Sequence, residues 1–552
     1  MGRLGILLLL IPLPAFAAGG HPWCGTTPEG GRDAIARHLE ERERRGVRAA
    51  SAAADADVGN IAVLEDRGDL AAFRNPVDLA NTGIEFRRSG STYTANSVTR
   101  PVTPGATATL ALGDDAHVAI ALPFPFPFYG RTWTSAFVNS DGNLTFGAGE
   151  SASTDRNLGR MLSGPPRVAP LLADVDPSAG GTVTTHTEGD AFRVTWTNVP
   201  QWGKTDQNTF QVTLFRDGRV QFSYGELGSG IDGVAGIAPG HYQGGFTPID
   251  ASNAVGAVSG GAMAEGFRNQ NELDLVAVAR RFYATHGDDY QQLVVFTSQS
   301  LVGPRTFAYE INIKNSDTGT GNAVEDLSGA FGSQGRLESM VHMDVHTKYS
   351  ADPAQRVNGE DTTLGILAHE VGHRWLARAR FRDGERTSDE LLGRQGSHWS
   401  FFVDTDGSHD EGNDISDGGG TFRTVGSGLR YSPLDQYLMG LRRPDEVPPF
   451  FLVRNPTGLS STSPAQAPQT GVNFSGTRRD VAIAEVIAAM GSRNPGGSTR
   501  LPAFRQAFLY VAVGGPADAN AVAKLDAIRQ QWPGQFQRST DGRRAVETRL
   551  NP

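Results

Sequence analysis

A chain of 552 residues is longer than one hydrophobic core usually organises, so it divides into several domains. Its composition is that of a globular protein, with 38% apolar and 20% charged residues, and 68 Gly with 31 Pro favour turns and β structure over long helices. A formal net charge of −10 excludes an electrostatic case for nucleic acid or an anionic membrane as partner.

The first element is a leader. Met1-Gly2-Arg3 is a short basic start, LGILLLLIPLPAF is an apolar run, and Ala15-Phe16-Ala17 offers small residues at a cleavage site. Residues 1–17 therefore read as a secretory signal peptide cut before Ala18, consistent with bacterial export to the outside. The run is shorter than the roughly 20 residues a spanning helix needs, two prolines interrupt it, and no later run is long enough, so no membrane span is expected. Cys24 is the one cysteine, so an exported chain of this kind has no internal disulfide. The rest of 18–57 is rich in Ala, Glu and Arg. Ile35, Leu39 and Val47 give only a thin apolar stripe, so the segment reads as an exposed helix, a propeptide piece or a linker.

Residues 58–260 alternate short β-type runs with turns. IAVLED, HVAIALPF, AFRVTWTNV and GVAGIAPG read as strands. Asp141-Gly142 and Asp217-Gly218 sit between alternating apolar runs, the pattern of a hairpin. Phe210, Val212 and Leu214 face Val220, Phe222 and Tyr224 at period two. An all-β, sandwich-like domain follows. PFPFPFYGRTWTSAFVNSDGNLTFG, APLLADVDP and TFQVTLFRDGRVQFSYG occur in that order over roughly 115–240, and this region resembles the nidogen-type extracellular domain. The resemblance implies an adhesion or interaction module with an extracellular matrix or cell-surface ligand, and no chemistry of its own. Asp174 and Asp176 are candidates for a cation or for plain turn formers.

From about 268 to 450 the pattern alternates again. NELDLVAVARRFYATHGD reads as an amphipathic helix, and QQLVVFTSQS, FAYEINIKN and LESMVHMDVH read as strands. DTTLGILAHEVGHRWLARARF reads as a helix capped by Asp361 or Thr362. Leu364, Leu367, Ala368, Val371 and Trp375 fall on one face. Residues 380–430 read as loops. The tail, 451–552, reads as mostly helical, with helices at 479–491, 502–513 and 519–531.

The chemistry concentrates at 369–373. Four residues on a helix turn about 400°, so His369 and His373 share one face a turn apart, and both imidazoles can reach one Zn²⁺. Glu370 is rotated about 100° from His369, placed to take a proton from a water made acidic by the ion. HEVGH is an HExxH sequence and resembles the zincin signature, which implies an α+β zincin-like metallopeptidase domain acting on protein or peptide substrates. Gly372 is expected to leave room on the site side. A third ligand is needed. The residue six after the second histidine is Ala379, which departs from the metzincin pattern. His398, in GSHWSFF, is preferred; Glu390 is the runner-up, and His409 and Asp389 remain open. Tyr437 is a candidate for oxyanion stabilisation, with Tyr431 competing and Met439 beside it. The acidic loop 404–417 offers a structural Ca²⁺ site, although His409 and Ile415 stand where an EF-hand has Gly and Glu. Finally, PWCGTTP resembles the prodomain motif of matrix metallopeptidases, which implies that Cys24 could take the fourth zinc position and keep an enzyme latent. A second reading makes the chain an extracellular adhesion protein with a non-catalytic zincin-like domain.

Overall fold

The computed structural model describes residues 23–26, 30–45, 55–153, 156–303, 306–497 and 501–550. The leader reading, 1–17, lies outside the described residues. No helix among the described residues is long and apolar enough to cross a membrane.

Two sheets form the β domain. One has eight strands, with Gly83–Ser89, Val220–Tyr224, Asn208–Phe215 and Ala191–Val199 at its centre; the other has seven, running from Phe246–Pro248 to His117–Phe128. The period-two pairing holds in register: Phe210 faces Tyr224, Val212 faces Phe222 and Leu214 faces Val220. These side chains meet Leu144, Val168, Leu171 and Ile237 of the other sheet in one apolar core, where Trp196 stacks on Phe210 at 5.1 Å. LPFPFPF makes sense as the end of an edge strand. Leu122, Phe124, Phe126 and Phe128 point inward, while Pro123 and Pro125 face outward and fall in the gap between the paired residues Ala121 and Phe126, where a missing N–H costs no ladder bond. Both Asp-Gly turns close hairpins. At Gly142 the backbone takes φ +69°, and a Cβ would lie 2.2 Å from the Leu171 carbonyl oxygen, so only glycine fits.

The second unit is built on an eight-stranded mixed sheet, ordered Trp23–Thr26, Thr306–Asn312, Ser339–Val345, Gln292–Thr297, Phe504–Ala512, Ile61–Glu65 and Ala56–Val58, with Val546–Glu547 paired to the end of Phe504–Ala512. Its central pairings are parallel. Alternate residues of the buried strands serve opposite layers. Val294, Phe296, Phe508 and Tyr510 pack with Leu367, Leu525 and Trp532 of the helices Thr363–Gly372 and Ala519–Ser539. Leu293, Val295, Leu509 and Val511 pack with Val278 and Phe282 of the helix Leu275–Tyr283. Helices thus cover both faces of a largely parallel sheet, a layered α/β arrangement.

Three boundaries move. Residues 58–65 leave the β domain and, with 56 and 57 from the preceding segment, join this sheet. Residues 502–513, read as a helix, form the strand Phe504–Ala512 in the middle of it. The C-terminal part is not mostly helical: Phe450–Thr457 and Asn473–Val481 join Asn413–Asp417 and Thr421–Ser427 in a four-stranded sheet over Phe401, Phe422 and Phe474. The helix Gly30–Arg45 is not exposed either. Its His38 Nδ1 lies 2.8 Å from Asp274 at the start of the helix Leu275–Tyr283, while Glu40 accepts from the Gly266 N–H at 2.6 Å and Glu41 pairs with Arg268. It wedges between the β domain and the α/β unit.

Candidate metal centre

The helix Thr363–Gly372 starts where expected: the Thr362 hydroxyl accepts from the Gly365 N–H at 3.2 Å. It is shorter than its sequence suggested, ending at Gly372 with His373 as its C-cap. His373 keeps right-handed helical backbone angles, φ −55° and ψ −20°, so it still stands one turn above His369. Leu364, Leu367, Ala368 and Val371 are buried against the sheet, which fixes the helix and turns both imidazoles into the protein. Their Nε2 atoms are 3.0 Å apart.

His398 closes the third side. Its ring centroid is 5.2 Å from that of His369 and 4.8 Å from that of His373. The loop bearing it is pinned by Gly393 N–H donating to His398 O at 2.8 Å and by Trp399 Nε1 donating to Asp435 at 2.9 Å. Asp410 is the fourth member. One ligand atom from each of His369, His373, His398 and Asp410 lies within 4.8 Å of the others, and all four side chains are buried.

Hydrogen bonds set which ring nitrogens are free. His369 Nδ1 donates to the His409 carbonyl at 2.9 Å, and His398 Nδ1 donates to the Arg394 carbonyl at 2.9 Å, so each presents Nε2 as a lone pair. His373 Nδ1 stands 3.3 Å from Asp410 Oδ1. Burial drives all three imidazoles toward the neutral form. The pKa of His369 falls to about 4, with the Glu411 charge and the His409 carbonyl pulling it back, and those of His373 and His398 fall well below the ordinary value, helped at His373 by the rings of His369 and His398 and at His398 by Arg394 and the His369 ring. Neutral rings keep their lone pairs for a metal near neutral pH.

Two carboxyl groups are short of partners. Neither oxygen of Glu370 nor of Asp410 has a hydrogen bond of good geometry, although both residues are fully buried. Burial pushes the Glu370 carboxyl well up, and the Cys24 thiol and Gly25 N–H hold it partly back. Burial, then the charges of Asp435, Glu411 and Glu370, push Asp410 well up. Buried unpaired carboxyls are costly without a cation or a proton. The donor set, three neutral imidazoles and Asp410 with the Glu370 carboxyl nearby, could hold a metal ion. One contact competes: Arg394 Nη2 is 2.9 Å from His398 Nε2, using the lone pair a cation would otherwise take.

The other candidates fall elsewhere. Glu390 and Asp389 are exposed, and Glu390 is tied to Arg454 at 3.0 Å. His409 contributes its carbonyl, while its ring bonds Ser539 Oγ at 2.8 Å. The Tyr437 hydroxyl accepts from the Arg493 N–H at 3.0 Å, and the Tyr431 hydroxyl donates to the Ala368 carbonyl at 2.6 Å, so both are committed to backbone. Met439 is buried in the core. Gly372 makes room for the Tyr431 ring, whose Cε1 would lie 3.1 Å from a Cβ there, and not for the site. Asp176 is a turn former, accepting from Ser178 N–H at 2.8 Å, and Asp174 pairs with Arg156 at 3.0 Å. In the acidic loop, Asp404, Asp406 and Asp414 bring carboxylate oxygens within 4.8 Å of one another.

Sequence reasoning missed Asp410 and Arg394. Asp410 lies inside the acidic loop, where its neighbours pointed to calcium; the signal available was its place next to His409 in a segment that also holds a buried serine, Ser408.

Residues 85–265 match a family model described as NIDO related. The match covers the β domain nearly end to end and stops short of the histidine cluster. No solved structure matches the chain. The β domain is thus similar to nidogen-related domains, and the α/β unit stands on its own residues.

Proposed function

We propose that the chain is an exported zinc-dependent endopeptidase in which His369, His373 and His398 hold the ion and Glu370 is the proton carrier. The observation that carries the reading is the pair of Nε2 lone pairs 3.0 Å apart on one helical turn, with a third imidazole closing the triangle. When bound, zinc supplies Lewis acidity, polarising a carbonyl and making water acidic enough to lose a proton near neutral pH. Glu370 Oε accepts that proton and passes it to the leaving amine. The His409 and Arg394 carbonyls hold the rings of His369 and His398 in the tautomer that exposes Nε2, and Asp410 faces His373 Nδ1. The nidogen-related domain brings the catalytic unit to an extracellular matrix or cell-surface ligand.

Cleavage of a quenched peptide library, with and without a chelator and again in Glu370→Gln, tests the reading. Chelator-sensitive cleavage lost in Glu370→Gln is expected; chelator-resistant cleavage or a fully active variant overturns it. The match at 85–265 favours a second reading, an adhesion protein whose histidine cluster binds metal without catalysis. It predicts ligand binding by the full chain and no cleavage under any metal load.

A further inference from the structure

The segment YSPLDQYLMG takes no part in the hydrolysis proposed above, yet its first five residues touch every segment that carries a metal-facing group. The Tyr431 hydroxyl donates to the Ala368 carbonyl at 2.6 Å, one residue before His369. Asp435 reaches the other two segments. Trp399, next to His398, donates its indole Nε1–H to Asp435 Oδ1 at 2.9 Å. Ser408, two residues before Asp410, donates its hydroxyl to Asp435 Oδ2 at 2.6 Å, and the same hydroxyl oxygen accepts the Asp410 N–H at 3.1 Å. The two arms also meet each other, since the Trp399 N–H donates to the Asp410 carbonyl at 3.1 Å.

Local sequence explains why a carboxyl stands there. Ser432 caps the helix Pro433–Leu438 and Asp435 is its third residue, so a capping box forms. Ser432 Oγ accepts the Asp435 N–H at 3.0 Å, and Asp435 Oδ2 accepts the Ser432 N–H at 2.7 Å. Helix capping uses only that backbone donor. The indole and the hydroxyl come from elsewhere in the chain, so three donors converge on one fully buried carboxyl. An ionised carboxylate only accepts, and it satisfies all three. An amide of the same shape serves two of them with its oxygen at Oδ2 and sets its NH₂ against the Trp399 indole.

The effect reaches the ligands. Holding Ser408 holds the turn after it, whose His409 carbonyl accepts from His369 Nδ1 and whose Asp410 faces His373. Holding Trp399 holds the backbone of His398. Resting on the metal reading above, we infer that Asp435 is a positioning residue of the metal centre. It keeps the His398 loop and the His409–Asp410 turn in one register, so that the third imidazole and the carbonyl that sets the His369 tautomer both meet the helical pair. It acts through Trp399 and Ser408, not by contact with the ion.

Zinc competition against a chromophoric chelator, cobalt spectra and urea unfolding of the full chain test this. The variants are Asp435→Asn, Trp399→Phe and Ser408→Ala, with Trp532→Phe as control. The control also removes a buried indole donor, the 2.6 Å bond from Trp532 Nε1 to Gln506, in a helix that carries none of these groups. Asp435→Asn should weaken zinc binding about 10–100-fold, as loss of a ligand-orienting partner does, and shift the cobalt ligand-field bands. Trp399→Phe and Ser408→Ala should each weaken it by at least about threefold. Added to Asp435→Asn, Trp399→Phe should change affinity less than about twofold, because that arm is already broken. Trp532→Phe should lower the urea midpoint and leave zinc affinity within about twofold. Wild-type affinity and cobalt bands in Asp435→Asn, or a loss in Trp532→Phe equal to that in Trp399→Phe, overturns the positioning role while leaving the metal site standing. Should Asp435→Asn not fold, wild-type affinity in both Trp399→Phe and Ser408→Ala overturns it instead. Absence of bound zinc and cobalt in wild type takes down the metal site and this inference together.

Discussion

Replacing His398 with Ala separates the ligand sets most sharply. The His398 ring is fully buried and held by its Nδ1 bond to the Arg394 carbonyl at 2.9 Å, so its Nε2 is pre-set. Loss of a partner that only orients a ligand costs about 10–100-fold in metal affinity. Loss of one of three ligands should exceed the top of that range, more than about 100-fold or about 2.8 kcal/mol. Asp410→Asn, which disturbs only the carboxyl facing His373 Nδ1 at 3.3 Å, should fall within about 10–100-fold. Glu390→Gln should leave affinity unchanged, since it removes an exposed pair with Arg454 worth about 0–1 kcal/mol of stability. The assay is zinc competition against a chromophoric chelator. Wild-type affinity in His398→Ala, or a hundredfold loss in Glu390→Gln, refutes the assignment.

Glu370→Gln should lower kcat by about 10²–10⁴-fold with zinc content unchanged, as steady-state kinetics and metal analysis would show; a fall in zinc content would make Glu370 a ligand instead. Glu40, buried where the linking helix meets the β domain, has its pKa raised to about 7 by burial, against the pull of Gly266 N–H and Arg268. Its contribution to stability is therefore complete below about pH 4.5 and is lost as pH climbs through 7. Urea unfolding of Glu40→Gln should show a shallower decline between those limits, by at most about 3 kcal/mol; an identical pH profile would contradict this. Gly142→Ala should destabilise the β domain by at least about 1–2 kcal/mol, read as a lower first transition in a thermal scan, because its φ of +69° is strained for any L side chain.

Much of the β domain was legible because several of its strands alternate apolar with polar residues, and the alternation of Phe210, Val212 and Leu214 against Val220, Phe222 and Tyr224 specifies both face and register. The HExxH helix was legible from its cap and apolar stripe, and His398 from its Gly-Ser loop ahead of an apolar anchor. Phe504–Ala512 was not: a central parallel strand is covered on both faces, so FRQAFLYVA shows no period and its length suits a helix equally well. Nor could local pattern reveal that Ile61–Glu65 pairs with that strand across the whole β domain, since parallel pairing leaves no turn signal at either partner. The helix Gly30–Arg45 looked solvent-exposed because its buried groups are His38, Glu40 and Glu41, satisfied by partners far away in sequence.

The central claim is that one ion sits on the imidazoles of a single helical turn. Elemental analysis of the full chain, after dialysis against metal-free buffer, measures it directly. One equivalent of zinc in wild type and none in the His369→Ala/His373→Ala double variant is the predicted result; equal metal in both chains, or none in wild type, contradicts it.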